Sequence, residues 1–150
     1  MSYEVAIQNI TQDNNVPTTE MLQRWVRQTL PDTLTQVDLT IRIVAEKEAR
    51  ALNRQYRQKD YATNVLSFAY EHDTKELSGD IVLCASVISA QAEQQNINPE
   101  HHWAHLVVHG LLHLLGHDHD TENQADIMQQ MEIDILQQLN YPNPYREETI

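Results

Sequence analysis

Three histidines in the last third of the chain are spaced like metal ligands. In the stretch HGLLHLLGHDH, at positions 109–119, His109 and His113 stand one helical turn apart and would share a helix face. Gly116 follows, where a glycine can take the left-handed conformation that ends a helix and turns the chain. That turn would bring His119 back toward the other two. Three histidines around an open fourth position are typical of a catalytic zinc site.

The other polar residues around this stretch have less specific interpretations. Three histidines nearer the start of the same predicted helix show no second sign of metal binding, and we interpret them as structural or exposed: His101, His102 and His105. The role of His117 stays open between support of the ligands, contact with a substrate and simple exposure. Asp118, Asp120 and Asp126 are candidates to orient the ligands through their second ring nitrogens, although solvated faces also carry acidic residues.

Gly110 occupies the position at which a zinc protease with this histidine spacing carries its glutamate. That glutamate takes a proton from the zinc-bound water and passes it to the leaving amine. A glycine can do neither, so peptide hydrolysis is disfavoured unless another carboxylate, such as Asp118 or Asp120, acts as the base. Phosphodiester cleavage makes a different demand, because the charge developing on the phosphate oxygens needs a cation and basic side chains.

Charge is unevenly distributed along the chain. The formal net charge is -12, but residues 1–70 hold eight basic and eight acidic side chains, whereas residues 71–150 hold two and fourteen. Six of the ten Lys and Arg residues fall between positions 42 and 59. The negative total disfavours general binding of nucleic acid, but it is compatible with a local basic patch that meets an RNA strand at one site.

Part of this basic window is spaced to form one side of a helix. Four of its residues lie on that side or just beyond the helix end: Arg50, Arg54, Arg57 and Lys59. Guanidinium groups suit two-pronged contacts with phosphate. An equally good interpretation of Arg50 and Arg54 is that Glu46 and Glu48 pair with them on an ordinary solvated helix face.

Hydrophobic periodicity predicts an α+β fold around these residues. Four segments alternate or are rich in β-branched residues and are predicted strands: 3–10, 37–45, 64–70 and 80–86. Five segments have helical periodicity: 20–30, 46–57, 87–96, 99–115 and 125–139. A turn is predicted at Ser78, Gly79 and Asp80. We expect a small, mostly four-stranded mixed sheet packed with helices, and a zincin-like metal-binding helix and turn.

Composition bounds the organisation of the protein. We expect residues 1–150 to form a single domain, with a loosely held tail from about 141 to 150. Cys84 stands alone, so an internal disulfide and a cysteine-rich zinc site are both excluded. No run approaches the about 18 apolar residues of a membrane span, and the first residues lack a signal-peptide pattern, so we expect a cytoplasmic protein with no membrane partner.

Three segments together resemble the YbeY family of bacterial ribosomal RNA maturation factors. They are HGLLHLLGHDH, LNRQYRQKDYATNVLSF at positions 52–68 and SGDIVLC at 78–84, and the similarity runs from the strand near Val37 to YPNPY at 141–145. The resemblance implies a metal-dependent endoribonuclease that acts on single-stranded RNA. It also implies processing of ribosomal RNA ends, notably of the small ribosomal subunit, and a part in ribosome quality control.

The resemblance assigns roles to particular side chains. It implies that one zinc ion is held by three histidines: His109, His113 and His119. Arg57 matches an arginine that is functionally important in the family, and Lys59 and Asp60 belong to the same segment. The chain departs from the family at Ala62, where proline is common, and at His117, where tyrosine is frequent. Neither departure removes a ligand.

Three functions are compatible with these residues. The first is a zinc endoribonuclease in which Arg57 stabilises charge on the phosphate. The second is a ribosome-assembly binding factor whose zinc site is mainly structural. The third is a metallopeptidase with a non-standard general base. Zinc suits three histidines, but other divalent metals would also bind them.

Overall fold

The computed structural model describes residues 2–11 and 13–145, and within them the chain forms four strands and five helices. The strands are β1 (Ser2–Asn9), β2 (Gln36–Val44), β3 (Val65–His72) and β4 (Glu76–Cys84). The helices are α1 (Thr19–Thr29), α2 (Glu46–Arg57), α3 (Ala85–Gln94), α4 (Pro99–Leu114) and α5 (Glu122–Gln138). The prediction of an α+β fold is confirmed.

The four strands form one mixed sheet in the order β1-β2-β4-β3. β1 pairs with β2 in parallel, and β2 pairs with β4 in parallel. Helix α2 connects β2 to β3. β3 pairs with β4 in the antiparallel sense. β3 is therefore an edge strand, and α4 packs against it through Gly110.

One face of the sheet carries the larger hydrophobic core. Alternate residues of β2 and β4 project onto this face, and Leu39, Ile41 and Ile81 among them are fully buried. They belong to one cluster with apolar side chains of α1, α4 and α5, including the large rings of Trp25 and Trp103. This packing holds α4 against the sheet, which fixes the position of any side chain that α4 carries.

The opposite face of the sheet carries a smaller core that α2 covers. Its buried members are Val44, Ala49, Leu66, Val82 and Cys84. They come from β2, β3, β4 and α2, so the sheet lies between α2 and α4. Cys84 is a free, buried thiol.

The predicted turn at residues 78–80 is wrong, because β4 begins at Glu76 and includes Gly79. The chain turns earlier, where Oδ1 of Asp73 accepts hydrogen bonds from the backbone N–H groups of Lys75 and Glu76. Position 79 requires a glycine because the surrounding atoms are packed closely against it. A Cβ atom there would lie 2.9 Å from the carbonyl oxygen of Phe68 and 3.0 Å from a methyl group of Leu114.

The start of the predicted loose tail is well packed. Tyr141 is buried, and its hydroxyl donates to Glu100 at 2.7 Å while it accepts from Trp25 at 3.1 Å and Arg24 at 3.0 Å. The apolar ring and its three polar partners hold residue 141 in place, so the tail cannot begin there. Residues 146–150 lie outside the described part of the chain. No helix in that described part is long and apolar enough to span a membrane.

Candidate metal centre

Helix α4 carries two of the three candidate ligands. The helix begins at Pro99, and the side chain of Asn98 caps it by accepting a hydrogen bond from the N–H of Glu100 at 2.9 Å. His109 and His113 are partly buried and stack edge to face, one turn apart. The helix fixes the spacing of these two histidines, and the packing of α4 on the sheet fixes where the pair lies.

The turn after α4 depends on Gly116. Its φ angle of +94° lies in the left-handed region, and a Cβ atom there would meet nothing within 4 Å. Glycine is therefore needed for its backbone conformation and not for space. The N–H groups of Gly116 and His117 bond back to the carbonyls of His113 and Leu112, both at 3.0 Å. This closure reverses the chain and brings His119 against the helix.

The three histidines form a compact group. Their ring centroids are 4.6 Å apart for His109 and His113, 5.0 Å for His113 and His119, and 5.7 Å for His109 and His119. One nitrogen of each ring lies within 4.8 Å of the other two. The Nε2 atoms of His109 and His113 are 3.1 Å apart, near the about 3.4 Å that two ligands of tetrahedral zinc would show. The group could hold a metal ion, and the 56 % exposure of His119 leaves one side accessible.

Glu132 of α5 supports this group from the protein interior. Its side chain is 1 % exposed, and Oε2 lies 3.0 Å from Nδ1 of His109 and 3.2 Å from Nε2 of His105. Tyr145 donates its hydroxyl to the other carboxylate oxygen. A proton on Nδ1 of His109, bonded to Glu132, leaves Nε2 with a lone pair for a metal. Glu132 is thus placed to orient His109.

The electrostatics of the site favour a charged Glu132 and a neutral His113. Burial would raise the pKa of Glu132, but hydrogen bonds with His105, His109 and Tyr145 outweigh burial and lower the pKa to about 2. Burial, assisted by the neighbouring His109, lowers the pKa of His113. The neutral imidazole is the form that binds a metal.

Arg57, the last residue of α2, is directed toward β3. Its Nη2 atom donates to the backbone carbonyl of Ser67 at 3.4 Å. The hydroxyl of Ser67 donates in turn to the carbonyl of Gly110 at 3.1 Å, and Gly110 directly follows His109 on α4. The structure therefore brings Arg57 to the edge strand against which the histidine-bearing helix packs.

The chain matches known proteins along most of its length. A family model described as Endoribonuclease YbeY matches residues 6–140. The chain belongs to the YbeY family. It is 45% identical over 142 residues to the Endoribonuclease YbeY of Methylobacillus flagellatus, covering 95% of this chain and 93% of that protein. The Endoribonuclease YbeY of Nitrosomonas eutropha is also 45% identical, over 141 residues that cover 94% of this chain and 97% of that protein.

A solved structure shares the fold of this YbeY chain. The solution structure of TM1509 from Thermotoga maritima matches it with a TM-score of 0.58 at 19% identity, covering 96% of this chain and 100% of that chain. At this identity the likeness shows the fold alone. Family membership confirms the resemblance predicted from the motifs, and with it the enzyme class, a hydrolase that acts on phosphodiester bonds.

The packing of Gly110 accounts for the missing protease glutamate in this YbeY chain. A Cβ atom at this position would lie 3.1 Å from Oγ of Ser67, 3.3 Å from Cγ2 of Val65 and 3.4 Å from Cδ1 of Ile81. These atoms belong to β3 and β4, so α4 lies directly on the sheet here. These contacts are tight, so a glutamate at position 110 would require the three side chains to shift.

The basic window contains both paired and unpaired side chains. Arg50 forms a two-pronged ion pair with Asp60, at 2.8 and 3.0 Å, and Arg42 forms one with Glu48. The interpretation that Glu46 or Glu48 pairs with Arg50 is therefore wrong, because the loop after α2 brings Asp60 to Arg50 instead. Across residues 2–11 and 13–145, no carboxylate lies within 4.0 Å of the other basic residues predicted to contact phosphate: Arg54, Arg57 and Lys59.

Of the predicted supporting residues, Asp118 contacts the histidine group. The carboxylate of Asp118 accepts a hydrogen bond from the N–H of His119 at 2.8 Å, and its nearest oxygen is 3.8 Å from Nδ1 of that residue. Asp120 and Asp126 are exposed, and His117 is partly buried. Their roles stay predictions. Sequence reasoning missed Glu132, the residue that bonds the second ring nitrogen of the candidate ligand His109.

The histidines nearer the start of α4 have local partners. His102 is buried, and its Nε2 lies 3.0 Å from a side-chain amide oxygen of α3. The ring of His101 packs against Tyr141, and His105 contacts Glu132. These contacts fit the interpretation of the three histidines as structural residues, and they connect α4 to α3, to α5 and to residue 141.

Proposed function

We propose that this YbeY chain is a zinc-dependent endoribonuclease that cleaves single-stranded RNA at the group formed by His109, His113 and His119. The observation that carries the proposal is the link from Arg57 to this group. Arg57 bonds the carbonyl of Ser67, whose hydroxyl bonds the residue after His109. A phosphate between them would face both a metal ion and a guanidinium, which is what the charge of a phosphoryl transition state requires.

The donor set of the site suits zinc. It consists of three imidazole nitrogens, whereas magnesium and calcium prefer oxygen ligands. The hydrogen bond between Glu132 and Nδ1 of His109 leaves Nε2 available for the ion. A bound zinc ion would supply a Lewis acid and lower the pKa of a water at its open position. Nickel, copper and iron also accept imidazole, so the working ion depends partly on supply.

The chain's own basic residues would hold the phosphates. Arg57 would contact the reacting phosphate, and its bond to Ser67 fixes the direction of its guanidinium. Arg54 and Lys59 would contact flanking phosphates, while Arg50 would do so only after it leaves Asp60. A few such contacts in an acidic protein support modest binding of free RNA that weakens as salt rises.

The biological setting follows from the family resemblance. We place the enzyme in the cytoplasm, as a single domain of residues 1–150. Its substrates would be the ends of ribosomal RNA, notably in the small ribosomal subunit, and it would take part in ribosome quality control. The ribosomal context would supply the specificity that a small site on an acidic protein lacks.

Substrate choice tests this function. Protein loaded with zinc should cleave a labelled single-stranded RNA, cleave the same sequence poorly in a duplex, and leave casein intact because position 110 offers no base. His113→Ala protein, prepared identically, controls for contaminating ribonuclease. Equal RNA cleavage by both proteins, or none by either, would favour a ribosome-assembly factor with a structural zinc site. Turnover of casein would favour a metallopeptidase.

A further inference from the structure

Three aromatic side chains form a contiguous surface on the face of the sheet that α2 covers. Tyr56 of α2 and Tyr70 of β3 are 56 % and 64 % exposed, and Phe68 is partly buried. The rings of Tyr56 and Phe68 meet edge to face at 5.0 Å. The hydroxyl of Tyr70 donates to Asp80 at 2.5 Å, and Asp80 is the ladder partner of Phe68. Tyr56, Phe68 and Tyr70 are called the aromatic platform below.

The aromatic platform and the metal centre lie on opposite faces of the sheet but share one edge. Side chains alternate along β3, so Ser67 points toward α4 while Phe68 points toward α2. The N–H of Cys84 bonds the carbonyl of Asn64, so the backbone groups of residue 64 point toward β4. Because this direction alternates from one residue to the next along a strand, the backbone N–H and carbonyl of Ser67 point away from β4, to the free edge. Arg57 bonds Ser67 at that edge. Arg57 therefore stands between the two faces.

The charges around the aromatic platform suit a polyanion. Arg57 directly follows Tyr56 at the end of α2 and reaches the backbone of β3, and it has no carboxylate within 4.0 Å among the residues that the structure describes. The carboxylate that borders the platform, Asp80, is bonded by the hydroxyl of Tyr70, and this bond raises the pKa of that hydroxyl. Exposed rings beside basic groups hold single-stranded nucleic acid by stacking on its bases while cations contact its phosphates.

We propose that the aromatic platform stacks bases of the single-stranded RNA, so that the strand passes from the metal centre over the free edge of β3, past Arg57, and onto Tyr56 and Tyr70. This inference rests on the proposed nuclease function and deepens it. It supplies a physical reason for a preference for single strands, because the bases of a duplex are paired and stacked on one another and cannot lie on the rings.

Binding of a fluorescently labelled single-stranded RNA, followed by anisotropy, tests the aromatic platform. The measurement uses His113→Ala protein so that the RNA stays intact. Tyr56→Ala and Tyr70→Ala should each raise the Kd about tenfold, the usual scale of one lost stacking contact. Both side chains are exposed, so thermal melts should be unchanged. Tyr3→Ala is the matched control, because Tyr3 is an exposed tyrosine on β1 at the opposite edge of the sheet.

A second oligomer of equal length, with the sugar-phosphate backbone but no bases, separates stacking from charge. The tyrosine variants should bind it as the parent does, whereas Arg57→Ala should weaken binding of both oligomers. A variant that combines Tyr56→Ala with Tyr70→Ala gives the decisive result. An unchanged Kd in this double variant, or an equal loss of affinity for the oligomer without bases, would overturn the aromatic platform, leave the nuclease standing, and point to a protein partner for this surface. No RNA binding by the parent would overturn both proposals.

Discussion

Arg57→Ala is expected to lower the cleavage rate of single-stranded RNA by about 10²- to 10³-fold, the usual cost of removing one donor to a transition-state oxyanion. The guanidinium bonds the backbone of β3, and the group that could hold the metal consists of the three histidines without Arg57. The variant should therefore keep one zinc ion per chain. Single-turnover cleavage rates and metal analysis of the same preparations measure both quantities.

Two variants make the result for Arg57 specific. Arg57→Lys keeps the charge but loses the planar fork, so its cleavage rate should fall between those of the parent and the alanine variant. Arg27→Ala removes an exposed arginine of α1 that lies near Tyr3, on the far edge of the sheet, and should leave cleavage unchanged. Loss of zinc together with activity in Arg57→Ala, or full activity without the guanidinium, would show that its role is misassigned.

Glu132→Ala is expected to weaken zinc binding by about 10- to 100-fold, as is typical when the partner of a ligand histidine is removed. The carboxylate bonds Nδ1 of His109, which fixes both the ring and its tautomer. Without the carboxylate, the imidazole can rotate or carry its proton on Nε2, where it cannot bind the ion. Competition with a zinc-chelating dye gives the affinity, and RNA cleavage should fall in proportion to zinc occupancy.

Two control variants separate the orientation of His109 by Glu132 from a general contribution of Glu132 to the stability of the fold. Glu132→Gln keeps an oxygen that can accept from His109, so it should recover most of the zinc affinity. Asp134→Ala removes an exposed carboxylate of the same helix and should have no effect. Because Glu132 is buried and also bonds His105 and Tyr145, thermal melts of the alanine variant should shift as well. A lower Tm with unchanged zinc affinity would reduce Glu132 to a structural residue.

The local part of the site could be predicted from sequence. Two histidines one turn apart must share a helix face, and Gly116 has the left-handed φ angle that its place after the second histidine suggested. A helix that ends at this glycine and turns back must bring His119 near the first two histidines. Such features depend on neighbours within a few residues, so composition and spacing are enough to find them.

The long-range part of the site could not be predicted. Glu132 lies between Met128 and Leu136 on the buried stripe of α5, and a carboxylate in that stripe signals a buried polar partner. The sequence does not say which element α5 packs against, so the partner stayed unknown. The ion pair of Arg50 with Asp60 likewise depends on how one loop folds back.

At Gly79 the sequence pattern predicted the wrong local structure. A Ser-Gly-Asp sequence is typical of a turn, but here the glycine lies inside β4, where Leu114 of α4 presses against it. A glycine that permits backbone bending and one that permits close packing look the same in a sequence. Only the packing of α4 on the sheet separates the two cases.

The most direct test of the metal-dependent nuclease is zinc restoration. Protein stripped with a chelator receives zinc in steps, and bound zinc and cleavage of labelled single-stranded RNA are measured on the same samples. Cleavage should rise in proportion to bound zinc and level off at one ion per chain, while His113→Ala protein stays inactive throughout. Cleavage that survives removal of the metal, or that does not return when zinc fills the site, would contradict a catalytic role for the three histidines.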